Sequence, residues 1–227
     1  MLTKPRRLFL ALWPDAGERA QLAALSDTLS GGHKVHPDNL HLTLVFLGAT
    51  DDERLLCYEQ ALRDLAVPPL TLRLDRLACW SRSGILWLGA SRVPPELSSL
   101  VQDLNRRLEG CGFSPERRPF QAHITLARDF TGPAPPAELE HPVIWRTGQV
   151  ALVESLQTGW GVRYAVLARW PSAICRSVLA REGNVLAREG NVQQPAEFAS
   201  KLAPTDDAGK GSGISFSCTR TGQRFSA

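Results

Sequence analysis

A short motif, His-x-Thr-Leu, occurs twice in this chain, each time inside an apolar run. The first copy spans residues 41–44 and the second spans residues 123–126, 82 positions later. Side chains of a β-strand alternate between its two faces, so the His and the Thr of each copy share one face and the apolar residues pack behind them. The sequence therefore predicts two strands that each present an imidazole beside a hydroxyl.

Two imidazoles and two hydroxyls around one cleft suit acid–base chemistry at phosphorus. One imidazole can begin a reaction neutral, as a base, and the other protonated, as an acid, because imidazole titrates near neutral pH. Threonine hydroxyls can donate hydrogen bonds to phosphate oxygens. One copy of so short a motif arises readily by chance, and a single His in an apolar strand is more often structural. Two copies in matching positions favour a catalytic pair. Such a pair suits an in-line displacement at phosphorus, in which the attacking and leaving oxygens lie on opposite sides, and this reaction needs no metal.

The elements around the motifs follow a repeated order of strand, helix and motif-bearing strand. Apolar or alternating runs predict strands at 8–13, 40–47, 70–80, 85–89, 122–127, 149–157 and 164–170. Leucines at helical spacing predict helices after Asp15, Asp51 and Pro94. We expect an α+β fold over residues 1–171, with two pseudo-symmetric lobes. Each lobe has an antiparallel sheet and helices, and the motifs face each other across a cleft between the lobes.

The end of the chain has a different character. Residues 178–184, Val-Leu-Ala-Arg-Glu-Gly-Asn, are repeated without change at 185–191. The residues that follow are rich in small and polar side chains and lack any helix or strand period. We therefore predict that residues 172–227 form a disordered C-terminal extension.

Composition argues against several classes of protein. Residues 1–171 hold 19 Lys or Arg against 18 Asp or Glu, so they lack the positive excess of proteins that bind long nucleic acids. The five cysteines are scattered, which indicates neither a disulfide scaffold nor a thiolate zinc site and suits a reducing cytosol. No segment approaches the ~18 apolar residues of a membrane span, and the short N-terminal apolar run lacks the marks of a signal peptide. We expect a cytoplasmic protein.

The paired motifs resemble those of the 2H phosphoesterase superfamily. Four segments more closely resemble the RNA 2′,3′-cyclic phosphodiesterases, historically called 2′-5′ RNA ligases: 7-RLFLAL-12, 38-DNLHLTLVFLG-48, 85-ILWLG-89 and 117-RRPFQAHITLAR-128. The resemblance covers about residues 5–171 and implies a bilobal α+β fold. It also implies hydrolysis of a terminal RNA 2′,3′-cyclic phosphate to a 2′-phosphate, without metal or cofactor, and a weak reverse ATP-independent 2′-5′ ligation.

The resemblance implies a role for each residue of the motifs. His41 is expected to be the general acid that protonates the departing 3′ oxygen, and His123 the general base that activates water. Thr43 and Thr125 are expected to hold the non-bridging phosphate oxygens. The sequence by itself does not assign which histidine is the acid.

Two further residues are candidates for substrate binding. The family's habit of an arginine at this position implies that Arg128 contacts phosphate, although regular alternation would turn it to the face opposite His123. A solvated arginine at the strand end is the alternative. Phe9, Phe46 and Trp87 could stack on a base, as aromatics do in single-strand recognition. Core packing is expected for most of them, and Trp87 is the one chosen as the candidate for stacking.

We expect a monomer that binds RNA ends or nucleotides with a 2′,3′-cyclic phosphate. Other functions stay open. The same fold could act on a small cyclic nucleotide or a linear RNA 3′ end. A non-catalytic module could hold a nucleotide or an RNA end, although binding alone does not need two titratable rings. His33, His36 and His41 could hold a metal in a hydrolase, but no carboxylate or cysteine completes the set. The glycines and proline near His33 and His36 indicate a surface loop instead.

Overall fold

The computed structural model describes residues 4–132, 135, 137–159 and 161–171. The predicted C-terminal extension, 172–227 with its tandem heptad, lies outside the described residues. The strands are β1 (Arg6–Leu12), β2 (His33–Lys34), β3 (Leu42–Thr50), β4 (Leu70–Trp80), β5 (Ile85–Gly89), β6 (His123–Arg128), β7 (Glu138–Thr147), β8 (Val150–Thr158) and β9 (Gly161–Trp170). The helices are α1 (Ala16–Thr28), α2 (Asp52–Ala61) and α3 (Pro95–Glu109), and a short 3-10 helix spans Pro37–Asn39.

The helices begin where local signals placed them. Asp15 caps α1 through a reciprocal box: its carboxylate accepts from the Glu18 N–H, and the Glu18 carboxylate accepts from the Asp15 N–H. The Asp51 carboxylate accepts from the Arg54 N–H and caps α2. Helix α3 carries the predicted apolar face, and all five of its apolar positions are buried, namely Leu97, Leu100, Val101, Leu104 and Leu108. No helix in the described part of the chain has the length and apolar character needed to cross a bilayer.

All strands of the described residues belong to one antiparallel sheet. Its order is β7-β4-β5-β6-β3-β1-β8-β9, and β2 adds to β6. The units β1-α1-β3 and β5-α3-β6 occupy matching places in the two halves of this order, which confirms the α+β class and the repeated strand-helix-strand plan. The halves are not two separate sheets, because β3 and β6 pair at Leu42 and Ile124.

The sequence missed two strands, β2 and β7. β7 forms an edge of the sheet and pairs with β4 alone. An edge strand tolerates a proline such as Pro142, and most β7 side chains are not buried, so the segment shows no clear apolar period. β2 has two residues, both exposed.

The two faces of the sheet are covered differently. In β1, Leu8, Leu10 and Leu12 join the large core that also contains the buried faces of the helices. The alternate residues Phe9 and Ala11 belong to a separate apolar cluster with no helical member among the described residues. The helices therefore cover one face of this half of the sheet and leave the other face available for a cleft.

A disulfide joins Cys57 of α2 to Cys111, just beyond α3, with the Cα atoms 5.8 Å apart. The sequence argued against a disulfide scaffold and did not predict this single bond. The 54-residue separation carries no local signal, and the two cysteines meet only because α2 and α3 pack together. Cys79 is not part of this bond, and the remaining two cysteines lie outside the described residues.

We expect the disulfide to stabilise the folded protein, because it closes a long loop in the unfolded chain. Dithiothreitol should lower the free energy of unfolding by about 2–4 kcal/mol, measured by urea denaturation. The double variant Cys57→Ser/Cys111→Ser should show the reduced stability and no response to dithiothreitol. Cys79→Ser is the control and should respond as the wild type does; a wild type indifferent to the reductant would contradict the bond.

Candidate active site

The site lies where the two halves of the sheet meet. Leu42 and Ile124 are the register partners that join β3 to β6, and neither is exposed to solvent. Each is the second residue of its motif. In an antiparallel pair this register sets the His of one motif opposite the Thr of the other. The four polar side chains therefore form a two-by-two array on the face opposite the buried Leu42 and Ile124.

A cavity of about 670 Å³ opens over this array. Both histidines and both threonines of the motifs line it, as do Arg128, Phe46, Arg7 and Tyr164. The volume falls within the range of about 300–1,000 Å³ that encloses small organic ligands, so the cavity can hold more than a phosphate group. The sequence prediction that the two motifs share one cleft is confirmed.

Hydrogen bonds to main-chain carbonyls determine the tautomer of both rings. His41 Nδ1 lies 2.7 Å from the Asn39 carbonyl oxygen, and His123 Nδ1 lies 2.8 Å from that of Gln121. A carbonyl only accepts, so Nδ1 carries the proton in each ring. Nε2 is then the atom that can accept or donate a proton in the cavity, and the Thr43 hydroxyl lies 3.0 Å from Nε2 of His41.

Aromatic rings surround His41. Trp13 stacks on it with the ring centres 5.5 Å apart, Phe9 lies at 4.8 Å, and Tyr164 meets it edge-on at 5.0 Å. Burial among these rings lowers the pKa of His41 to about 4. The nearby positive charges of His123 and Arg128 lower the pKa further, while the Asn39 carbonyl opposes the change.

Two tryptophans hold His123 in a similar way. The Trp80 ring meets the His123 ring edge-on at 4.7 Å, and the Trp87 ring centre lies 6.3 Å from it. Burial lowers the pKa of His123 below its usual value, and the Gln121 carbonyl opposes this change. In the ligand-free site both rings are therefore mainly neutral at pH 7.

Trp87 shares a face with its register partner Thr125 but does not line the cavity. It is 4% exposed and packs against Trp80 and His123. The expectation that its ring stacks on a base does not fit this placement, because a buried ring offers no free face. Residues of β5 are buried on both faces, so its sequence has no alternation that would show whether the Trp87 ring is exposed.

A β-bulge turns Arg128 toward the cavity. Leu86 pairs with Ala127, but the next residue, Trp87, pairs with Thr125, which leaves Leu126 as an extra residue on β6. An extra residue reverses the alternation of side chains beyond it. Arg128 therefore lies on the same face as Thr125 and lines the cavity, although regular alternation predicted the opposite face.

The first motif contains the same irregularity. Ala11 pairs with Thr43 and Leu10 pairs with Val45, so Leu44 is the extra residue on β3. Phe46 consequently lies on the cleft side, lines the cavity and is 66% exposed. Core packing, expected for most of the three aromatics Phe9, Phe46 and Trp87, holds for Phe9 and Trp87, each 4% exposed, and not for Phe46.

The residues that sequence reasoning missed at the site are Trp13, Trp80 and Tyr164, whose rings contact the two histidines. The orientation of Phe46 toward the cavity had a detectable signal in the sequence. Phe46 and Arg128 occupy the same position when the two motifs are superimposed as sequences, two residues beyond the Leu of each motif.

His33 and His36 lie at the rim of the cavity, near the surface as predicted. His33 Nδ1 lies 3.2 Å from the Asp129 carboxylate, and the ring of His36 accepts from the Asp38 N–H at 3.2 Å. His33 belongs to β2 and not to a loop. Within the described ranges no three His, Cys, Asp or Glu side chains are grouped closely enough to hold a metal ion.

Comparisons with known proteins agree with this geometry. The family described as LigT like Phosphoesterase matches residues 12–87 and 88–143. The RNA 2′,3′-cyclic phosphodiesterase of Escherichia coli K12 is 35% identical over 180 residues, which cover 74% of this chain and 98% of that protein. The crystal structure of E. coli LigT in apo form superimposes with a TM-score of 0.69 at 31% identity, covering 75% of this chain and 99% of that one. The crystal structure of E. coli LigT complexed with 3′-AMP superimposes with a TM-score of 0.68 at 31% identity, covering 74% of this chain and 99% of that one.

We expect the His41 ring to stay neutral down to about pH 4 in the ligand-free protein, because protonation would place a charge in a buried aromatic setting. A ¹⁵N-edited NMR titration of the ring nitrogens measures this. Arg128→Ala should raise the pKa of His41 by removing a neighbouring positive charge, and bound inorganic phosphate should raise it through its negative charge. Titration of His41 at its ordinary value of 6.5 in the empty site would contradict the burial argument.

Proposed function

Because the chain belongs to the LigT-like phosphoesterase family, we propose that it hydrolyses the 2′,3′-cyclic phosphate at an RNA 3′ end to a 2′-phosphate. The observation that carries the proposal is the shared cavity, into which each half of the sheet directs one imidazole and one hydroxyl. The E. coli relative named RNA 2′,3′-cyclic phosphodiesterase supports the proposal, because 98% of its length aligns with this chain. Its structural counterpart with 3′-AMP supports a nucleotide ligand.

In the proposed reaction, water attacks phosphorus opposite the 3′ oxygen. Nε2 of His123 accepts a proton from this water, and the bond between phosphorus and the 3′ oxygen breaks. Nε2–H of His41 donates its proton to the departing oxygen, so the products are a 2′-phosphate and a free 3′ hydroxyl. The cross-strand register, in which the two imidazoles lie diagonally across the array, suits a displacement whose entering and leaving oxygens lie on opposite sides of phosphorus.

Three side chains are proposed to hold the non-bridging phosphate oxygens. Thr43 and Thr125 alternate with the histidines across the array, and Arg128 adds a positive charge on the same face. In the empty site the Thr43 hydroxyl lies within hydrogen-bond distance of Nε2 of His41. When that nitrogen is protonated it no longer accepts, and the hydroxyl is free to donate to a phosphate oxygen instead.

The acid role of His41 requires a proton that the empty site does not favour at pH 7. The negative charge of the bound cyclic phosphate supplies the missing stabilisation, since an adjacent anion raises the pKa of an imidazole. His41 is thus proposed to gain its proton together with the substrate. An acid with an intrinsically low pKa also releases that proton readily to an alkoxide.

A purely binding module accounts less well for these contacts. Binding a phosphate calls for donors, whereas here both Nδ1 atoms are tied to carbonyls in a way that directs both Nε2 atoms to proton transfer. The expected cytoplasmic location, the monomeric state and the weak reverse 2′-5′ ligation stay predictions.

We expect turnover of an oligonucleotide that ends in a 2′,3′-cyclic phosphate, with EDTA present and a 2′-phosphate as the product. His123→Ala should lose about 100-fold or more in kcat, as expected for a general base. His33→Ala is the matched control, since His33 lines the same cavity at its rim, and should keep near wild-type activity. Loss of activity both with EDTA and in His33→Ala would favour the metal-dependent alternative.

The order of acid and base can be tested with a leaving group that needs no proton. In a substrate with sulfur in place of the 3′ bridging oxygen, the departing thiolate is stable near neutral pH, because thiols have pKa values of about 8.5. His41→Ala should lose about 100-fold or more in kcat on the oxygen substrate and recover to within about tenfold of wild type on the sulfur substrate. His123→Ala should be impaired on both. Recovery of His123→Ala alone would reverse the assignment.

A further inference from the structure

Asn39 makes two hydrogen bonds that together join His41 to a strand far along the chain. It is the last residue of the 3-10 helix and lies two positions before His41. Its main-chain carbonyl accepts from Nδ1–H of His41 at 2.7 Å. Its side-chain Nδ2 donates to the Val162 carbonyl of β9 at 2.8 Å, across 123 positions of the chain. One residue therefore supplies both the acceptor that orients the ring and the bond that holds this acceptor in place.

The strand that receives this bond also forms part of the wall around His41. β9 is the last strand in the order of the sheet, and among the described strands it pairs with β8 alone. Val162 and Tyr164 are two residues apart on β9, and both line the cavity. The Tyr164 ring meets the His41 ring edge-on at 5.0 Å. The Asn39 amide thus connects the turn before β3 to the strand whose aromatic side chain contacts the same imidazole.

Helix α1 holds the same turn through a weaker contact. The Asp38 carboxylate accepts from the Arg19 guanidinium at 3.0 Å. The Asp38 side chain is 61% exposed, and exposed ion pairs of this kind contribute little to stability. Substitution of Asp38 therefore perturbs the turn at the neighbouring residue and leaves both hydrogen bonds of Asn39 in place, which makes it a matched control.

The second motif has the same main-chain bond without a side-chain tie. The Gln121 carbonyl accepts from Nδ1–H of His123 at 2.8 Å, as the Asn39 carbonyl does for His41. The Gln121 residue is exposed, and its side chain makes no hydrogen bond to any residue that the structure describes. The added support is therefore specific to the first motif, whose histidine is the proposed acid.

We propose that Asn39 is a positioning residue for His41. By tying its own carbonyl to β9, the Asn39 side chain keeps the proton of the neutral ring on Nδ1 and leaves Nε2 directed into the cavity. It acts through His41 and not on the substrate, since its amide is already bound to the Val162 carbonyl. The kinetic consequences rest on the proposed function, whereas the tautomer of the ring is a property of the empty site.

Loss of the amide donor should loosen the carbonyl and so change where His41 carries its proton. A neutral imidazole can hold the proton on either nitrogen, so a weaker acceptor at Nδ1 allows the other tautomer to form. Burial lowers the pKa of His41, and the Asn39 carbonyl opposes this change because it accepts from the protonated ring. A weaker bond should therefore lower the pKa further. The charged groups that face the ring, His123 and Arg128 of β6, are unchanged by the substitution.

The tautomer is measured without turnover, by ¹⁵N-edited NMR of the ring nitrogens at pH 7. Wild-type His41 should show a protonated Nδ1 and an unprotonated Nε2, and Asn39→Ala should show a mixture of the two tautomers. Asn39→Ser also removes the amide and covers the case in which Asn39→Ala does not fold. Asp38→Ala should keep the wild-type tautomer of His41, and Gln121→Ala should keep that of His123. A wild-type tautomer of His41 in the Asn39 variants would overturn the proposal.

The kinetic test uses the oxygen and sulfur substrates that separate the acid from the base. On the oxygen substrate, Asn39→Ala should lose about tenfold or more in kcat, because small misplacements of a catalytic group cost this much. On the sulfur substrate, whose leaving group needs no proton, it should come within about threefold of wild type. Asp38→Ala should stay within about twofold of wild type on both.

The pH profile of kcat gives a further readout. The proposed reaction needs a protonated His41 in the complex, so kcat declines as the pH rises through the pKa of that ring. In Asn39→Ala this decline should begin at a lower pH than in the wild type. Equal losses on the oxygen and sulfur substrates would overturn the positioning role, and so would a raised KM with an unchanged kcat, which would show a direct contact with the substrate. If the wild type turned over neither substrate, the proposed function would fail, and the tautomer measurement would still decide the role of Asn39.

Discussion

A single antiparallel register between β3 and β6 carries the site. The halves of the sheet meet at Leu42 and Ile124, and both side chains are buried completely. A shift of one residue would turn every motif side chain on one strand to the opposite face. Burial of these two apolar residues is thus the constraint that keeps two imidazoles and two hydroxyls in one cavity, which explains why an apolar residue separates the His from the Thr in both copies.

The same packing that positions the rings also sets their charge. Phe9, Trp13 and Tyr164 surround His41, and Trp80 and Trp87 support His123, so the pKa of each ring falls below its ordinary value. The Nδ1 bonds to carbonyls keep the rings in one tautomer while burial keeps them neutral. In the proposed mechanism, the cyclic phosphate supplies the negative charge that a protonated His41 needs, so the charged form of the proposed acid depends on the presence of the ligand.

The Leu of each motif determines which side chains beyond the motif face the cavity. Leu44 and Leu126 are the extra residues of two β-bulges, and each reverses the alternation that follows. Without the bulges, Phe46 and Arg128 would point into the core side of the sheet. The repeated unit therefore extends two residues past His-x-Thr-Leu, to a position where the halves differ in chemistry. The two motif strands match in their His and Thr residues and differ at this position, where Arg128 gives one wall of the cavity a cation and Phe46 gives the other an aromatic ring.

Local patterns determined much of this protein. Alternation and turn signals predicted β4 and β5 with their observed ends, the Asp caps predicted the starts of α1 and α2, and the duplicated motif indicated which strands carry the chemistry. These features depend on neighbours within a few residues, so a sequence can express them. Only the tertiary structure decided that Cys57 meets Cys111, that Trp87 is covered, and that Arg128 and Phe46 face the cavity. Each of these depends on pairing or packing between segments far apart in the chain, and no local period records which distant strand will lie alongside or where a bulge will interrupt the ladder.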